Sequence, residues 1–288
     1  MVSFGKGSRP TGFKAGLGVG APVVAVAAQK GGVGKTTTAV HLAVALAQSF
    51  HLRVFLIDLD AQGHVGAHLH RSTRVHTTRR LGTSLLERKA DLKNLAVPTT
   101  IPGLSITSPD KGLHQAEIQL NARIGKEFVI DRALKSARED FDIIIIDCPP
   151  NLGNLTVGTL LASDLVIVPS DMSQLAINGV SDILDTLEIL EDTFQRRPEL
   201  AGVLLCRVDR RSKSLNRAVR ERLEDIAPGT MLDVEVPCQS AVSRAQISGT
   251  TVFETDPEGP AAEAYIQLAR MIRDRIRVYP ESVARRSA

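Results

Sequence analysis

Apolar residues gather in seven short runs: APVVAVAA (21–28), RVFLIDLD (53–60), LSITS (104–108), FDIIIID (141–147), LVIVPS (165–170), GVLLCRV (202–208) and MLDVEV (231–236). Most are nearly continuous rather than alternating, as parallel strands covered on both faces require. Helical spacing falls between most of them. In residues 36–48, Val40, Ala43, Val44 and Ala47 share one face, and in the last long segment Ala261, Tyr265, Leu268, Ile272 and Ile276 do the same. Strand alternating with helix predicts an α/β fold: a single-domain, mainly parallel twisted sheet with helices on both faces. No repeat or linker interrupts it, so residues 22–279 read as one domain. A basic, glycine-rich arm (1–21), expected to be disordered, precedes it, and a polar tail (280–288) follows.

Hydrophobic residues make up 43% of the 288, yet no charge-free run reaches the roughly 18 to 20 residues of a membrane span. The first twenty residues lack the apolar core of a secretory signal. Cys148, Cys206 and Cys238 are odd in number and without metal-ligand spacing, which points to reduced thiols in a cytoplasmic protein, each expected to be a small buried hydrophobe. A net charge of +3 is too small to identify a polyanionic partner by itself.

The stretch AAQKGGVGKTTTAV (27–40) lies between a predicted strand and a predicted helix. Backbone amides around Gly31, Gly32, Val33 and Gly34 can crowd onto phosphate oxygens, and the helix points its positive end at them. In such a loop Lys35 neutralises phosphate charge, the Thr36 hydroxyl ligates Mg2+, and Thr37 stands next in line. The usual pattern wants glycine where Gln29 stands, and Lys30 is a second lysine beside it. Two further acidic signals end apolar strands. Asp147 follows four isoleucines, where a carboxylate holds Mg2+ through water, and Asp58 and Asp60 follow FLI. By strand alternation Asp58 and Asp60 share a face. One of that pair orders Mg2+-bound water and the other positions the attacking water; a capping or turn role is the alternative for each.

QKGGVGKTTTAVHLA, LIDLDAQGH, FDIIIIDCPPNLG and GVLLCRVDRRS together resemble the ParA/Soj/MinD family of deviant Walker A P-loop ATPases, the small Soj-like partition branch most of all. The resemblance spans about residues 22–277. It implies ATP and Mg2+ as cofactors and an ATP-bound homodimer. It assigns Lys30 to the nucleotide of the other subunit and Lys35 to its own, Asp60 to hydrolysis, and Asp58 and Asp147 to the magnesium side. It further implies nonspecific double-stranded DNA and a ParB-like centromere-binding protein as partners, a nucleoid-associated place in the cytoplasm, and partition of chromosome or plasmid DNA. Two departures stand out. Ala61 replaces a family proline, and VPCQSAVSRA (236–245) lacks both family arginines of the segment bordering the adenine pocket, while Pro237 and Gln239 remain to face a base.

RVDRRSKSLNRAVRERLEDI holds the densest positive charge. Arg210, Lys213, Arg217 and Arg220 recur at helical intervals with Arg211 at the entrance, a stripe suited to phosphates, and no aromatic interleaves it for base stacking. The alternative is a solvated face paired through Arg217 with Glu221 and Arg220 with Glu224. Arg211 matches a DNA-binding arginine of Soj-like proteins, and Arg244 stands close to where the two family arginines are lost. Other outcomes are a relative that positions a protein cargo on the nucleoid, and a MinD-like membrane-surface regulator, for which the tail is too polar. Electron transfer would require paired cluster cysteines, and a metabolic ligase would require a small-substrate pocket.

Overall fold

The computed structural model describes residues 20–73 and 79–284; the expected arm lies almost wholly outside them. Among these residues eight strands form one sheet: β1 Val23–Val26, β2 Val54–Asp58, β3 Val97–Pro98, β4 Leu104–Ile106, β5 Ile143–Asp147, β6 Leu165–Ser170, β7 Glu199–Val208 and β8 Met231–Pro237, in the order β3-β4-β2-β5-β1-β6-β7-β8. All pairs are parallel except β3 with β4. That two-residue edge strand carried no apolar run and was not expected from the pattern. The helices are α1 Lys35–Phe50, α2 His64–His68, α3 Leu81–Leu86, α4 Leu113–Leu120, α5 Val129–Ala133 and α6 Ala137–Asp140. They continue with α7 Asn154–Ala162, α8 Gln174–Phe194, α9 Lys213–Ile226, α10 Ser240–Ser248, α11 Val252–Thr255 and α12 Pro260–Ala284. The last helix continues past Pro280 to Ala284, into the segment expected as a polar tail.

Side chains alternate across the sheet with the period of a strand. Val24, Val26, Leu56, Ile145 and Ile167 pack with α1 and α12, whereas Ile57, Ile144 and Ile146 face the side of α4, α5 and α7. Both faces are dry, which is why the runs read as continuous rather than alternating. Parallel pairing aligns the carboxyl ends of β1, β2 and β5, and Asp58 sits directly opposite Asp147. Arg138 ties the far end together, donating to Asp164 at 2.9 Å and to the carbonyls of Ala21 and Ala162, with both charged side chains nearly buried.

Candidate functional site

The loop after β1 turns through Gly32 (φ 79°) and Gly34 (φ 102°), left-handed positions that disfavour other residues, and Gly34 caps α1. A Cβ built at Gly31 or Gly32 meets no atom within 4 Å, so the loop backbone faces open space. That space belongs to a cavity of about 700 Å³. Gly31, Gly32, Gly34, Lys35, Thr36 and Thr37 line one end of it, and Pro237, Gln239, Val242 and Tyr265 also line it.

The structure brings most of the expected residues together but divides their tasks. Lys35 is buried and donates to the carbonyl of Lys30 at 3.0 Å. Burial lowers its pKa, against the pull of the nearby Asp147 and Asp60 carboxylates. Asp147 is fully buried, and among the described residues neither carboxylate oxygen has a hydrogen-bond partner. Its pKa stands well above the carboxylate range because of that burial and the neighbouring Asp58, with Thr36 and Lys35 acting the other way. Asp58 is pushed up to about 7 by burial, although the N–H groups of Asp60 and Val65 donate to it at 3.0 Å each. A divalent cation is the group such a pair lacks: an orphaned carboxylate beside a second acid and a hydroxyl, next to an open glycine cradle, fits a magnesium-bound nucleotide.

Asp60 lies past the end of β2, so strand alternation does not govern it, and it lines the cavity while Asp58 does not. Its carboxylate accepts the Gln62 N–H at 2.9 Å, a turn contact that coexists with a position on the cavity wall. Val33 turns away into a small apolar cluster with Ala28 and Ala176, leaving only its backbone for the loop. Gln239 lines the cavity, with its side-chain oxygen already accepting the Ala261 N–H at 3.3 Å. Lys30 is engaged within its own chain, donating to Asp171 at 3.0 Å and Ser173 at 2.8 Å. Asp171 directly follows β6, a signal of the same kind as Asp147.

Other residues carried no local signal. Gln246 donates to the Thr37 hydroxyl at 2.8 Å, and His68 lines the cavity with an Nε2 that has no partner among the described residues. Cys238 is exposed rather than buried, because it follows the last residue of β8, where the chain turns along the cavity.

Away from the cavity, Arg210, Lys213, Arg217 and Arg220 line one shallow groove. Arg217 pairs with Glu221 at 2.8 Å as its spacing implied, but Arg220 pairs with Glu235 of β8, and Glu224 instead accepts the Gly229 N–H. Sheet packing places β8 beside α9 and outcompetes the local partner. Arg211 folds back onto Asp209 at 2.9 Å and holds that carboxyl down to about 2. Arg244, on α10, is exposed and bonded to Ser240, apart from the groove.

The AAA_31 family, described as an AAA domain, matches residues 21–200. The sporulation initiation inhibitor protein Soj of Bacillus subtilis is 33% identical over 250 residues, covering 87% of this chain and 97% of Soj. The chromosome partitioning protein ParA of Caulobacter vibrioides is 35% identical over 259 residues, covering 88% and 95%. Among solved structures, cobyrinic acid a,c-diamide synthase from Mycobacterium smegmatis with bound ATP analog and magnesium has a TM-score of 0.69 at 32% identity, covering 87% of this chain and 93% of that one. With the glycine loop, its second lysine and the paired acids at the strand ends, these similarities establish that the chain belongs to the ParA/Soj/MinD family of P-loop ATPases.

Proposed function

We propose that the chain binds ATP with Mg2+ at the carboxyl end of β1, dimerises around it, holds duplex DNA without sequence preference in that state, and releases it after hydrolysis, so partitioning chromosome or plasmid DNA with a ParB-like partner. The carrying observation is the open glycine cradle set against Lys35 and the orphaned Asp147 carboxylate. The ATP analog and magnesium in the mycobacterial structure support the choice of ligand, and the names of Soj and ParA support the role.

Loop amides and the end of α1 receive the phosphates, and Lys35 offsets their charge. Thr36, Asp58 and Asp147 would hold Mg2+, which when bound neutralises phosphate charge. Asp60, on the cavity wall, orients the attacking water. Pro237 and Gln239 border the base. Lys30 must leave Asp171 and Ser173 to reach the partner subunit's nucleotide, which makes subunit association depend on what the site contains.

Arg210, Lys213, Arg217 and Arg220 present charge along one groove, with Arg211 and Arg244 exposed elsewhere. A dimer offers this surface twice to one duplex, so DNA affinity depends on ATP through avidity. The test is fluorescence anisotropy of unrelated duplexes over a salt series with ATP. Replacing Arg211, Lys213, Arg217, Arg220 and Arg244 by alanine is expected to weaken every duplex about equally and to flatten the salt slope by roughly one per lost phosphate contact. Wild-type binding by that variant refutes this surface. The diamide synthase name favours a second reading, ATP-driven amidation of a small acid; it predicts no ATP-dependent DNA binding by the wild-type chain.

A further inference from the structure

Strand β7 contains an irregularity that the ATPase assignment leaves unused. From Val203 to Cys206 its side chains alternate between the two faces of the sheet: Val203 and Leu205 pack with α8 and α9, Leu204 and Cys206 with α1. Continued alternation would bury residue 207 beneath α8 and α9. Instead Val208 takes that place, because three steps on β7 (Leu205 to Val208) match two on β8 (Glu235 to Pro237). The extra residue is Arg207, at φ 56°, one of three non-glycine residues with positive φ among those described. A bulge of this kind re-aims one side chain, and such bulges favour the neighbourhood of active sites.

Arg207 is exposed and lines the cavity, and its side chain makes no hydrogen bond or ion pair with any described residue. Its neighbours locate it. Cys206 lies 3.5 Å from where a Gly34 Cβ would stand, and the Val208 carbonyl accepts the Cys238 N–H at 3.0 Å. Arg207 therefore stands between the glycine loop and the corner formed by Pro237, Cys238 and Gln239. Val236, Pro237, Val242 and Tyr265 line the cavity there, apolar groups suited to a flat base rather than to phosphate. Lys35 already serves the phosphate end.

We infer that Arg207 is a nucleotide-binding residue, extruded by the bulge so that its planar guanidinium holds the nucleoside half of the bound nucleotide. The inference deepens the proposed function and rests on its nucleotide reading. A guanidinium stacks on a base and donates to ribose or α-phosphate oxygens with one geometry, and ATP and ADP share all of these groups. Its contribution is therefore equal for the two nucleotides, unlike that of a residue reading the γ-phosphate.

Two variants separate the side chain from the strained backbone. Arg207→Gly suits a positive φ, and Arg207→Asn tolerates it while keeping a polar side chain. Full-length protein is titrated with fluorescent ATP and ADP in the presence of Mg2+, beside wild type and Lys35→Ala. Both Arg207 variants are expected to bind ATP and ADP roughly tenfold more weakly than wild type, by the same factor for each nucleotide, with unliganded melting temperatures no lower than wild type. Wild-type affinity in either variant, or a loss confined to ATP, overturns the assignment. If Lys35→Ala loses binding while the Arg207 variants do not, the nucleotide reading stands and this inference alone falls. A wild-type chain that binds neither nucleotide overturns both.

Discussion

His41 tests the packing behind the cavity through pH. Its ring is fully buried in α1, stacked on Tyr265 with centroids 4.6 Å apart. Nδ1 donates to the Thr37 carbonyl at 2.7 Å and Nε2 accepts the Val252 N–H at 3.1 Å, which fastens α11 to α1 and requires one neutral tautomer. Burial lowers its pKa from 6.5 to about 4, the Thr37 carbonyl opposes that shift, and nearby His68 adds to it. Because the folded pKa lies below the unfolded one, the stabilisation is whole above the unfolded pKa and drains away as pH falls towards the folded one. Between pH 7 and pH 5 the unfolded imidazole takes up its proton while the folded ring stays mostly neutral, a loss of about 2 kcal/mol. Asp58 and Asp147, whose pKa values are raised, push stability the opposite way, so wild type alone cannot isolate the effect. His41→Phe keeps a ring and removes the titration; it should cost about 1–3 kcal/mol at pH 7 by stranding the Val252 N–H. Urea unfolding of both proteins at the two pH values should show wild type losing about 2 kcal/mol more than the variant on acidification. Equal pH dependence, within roughly 0.5 kcal/mol, would refute a buried neutral His41.

Lys35→Ala should abolish nucleotide binding, whereas Lys30→Ala should retain it and lose ATP-dependent dimerisation, read by nucleotide titration and size-exclusion chromatography; equal loss of nucleotide affinity in both would sink the two-subunit assignment. Asp60→Ala should bind ATP, release no phosphate and accumulate as dimer, and an ATP-loaded variant that stays monomeric contradicts its role. Asp164→Ala leaves Arg138 buried without its carboxylate and should cost roughly 3–5 kcal/mol in urea unfolding, with a loss under about 1 kcal/mol counting against a structural ion pair there. Asp147→Asn removes an unpartnered buried acid, so the unliganded protein should melt higher at pH 8, and the extra stabilisation that Mg2+ confers on nucleotide-bound protein should disappear; an undiminished Mg2+ effect removes Asp147 from the metal site.

What sequence alone determined was local. Apolar runs of five to eight residues specify strands buried on both faces whatever their order, and a glycine loop between strand and helix forms an anion cradle from its own backbone, so Gly31 to Thr36 were legible before any fold was known. Family resemblance implied roles that spacing could not supply, such as the separate duties proposed for Lys30 and Lys35. Everything that depends on which strands lie side by side waited for the tertiary structure. Asp58 meets Asp147 only because β2 pairs with β5 across 88 intervening positions; burial raises both carboxyls, and that meeting adds the Asp58 charge to the rise at Asp147. Lys30 finds Asp171, and Arg220 prefers Glu235 to the helix neighbour its spacing offered, because β6 and β8 bring distant carboxylates to those places. The bulge that exposes Arg207 leaves no mark in a continuous apolar run: strand register is set by packing against β8 and two layers of helices, and a shift of one residue exchanges the buried side chain for the one that faces the cavity.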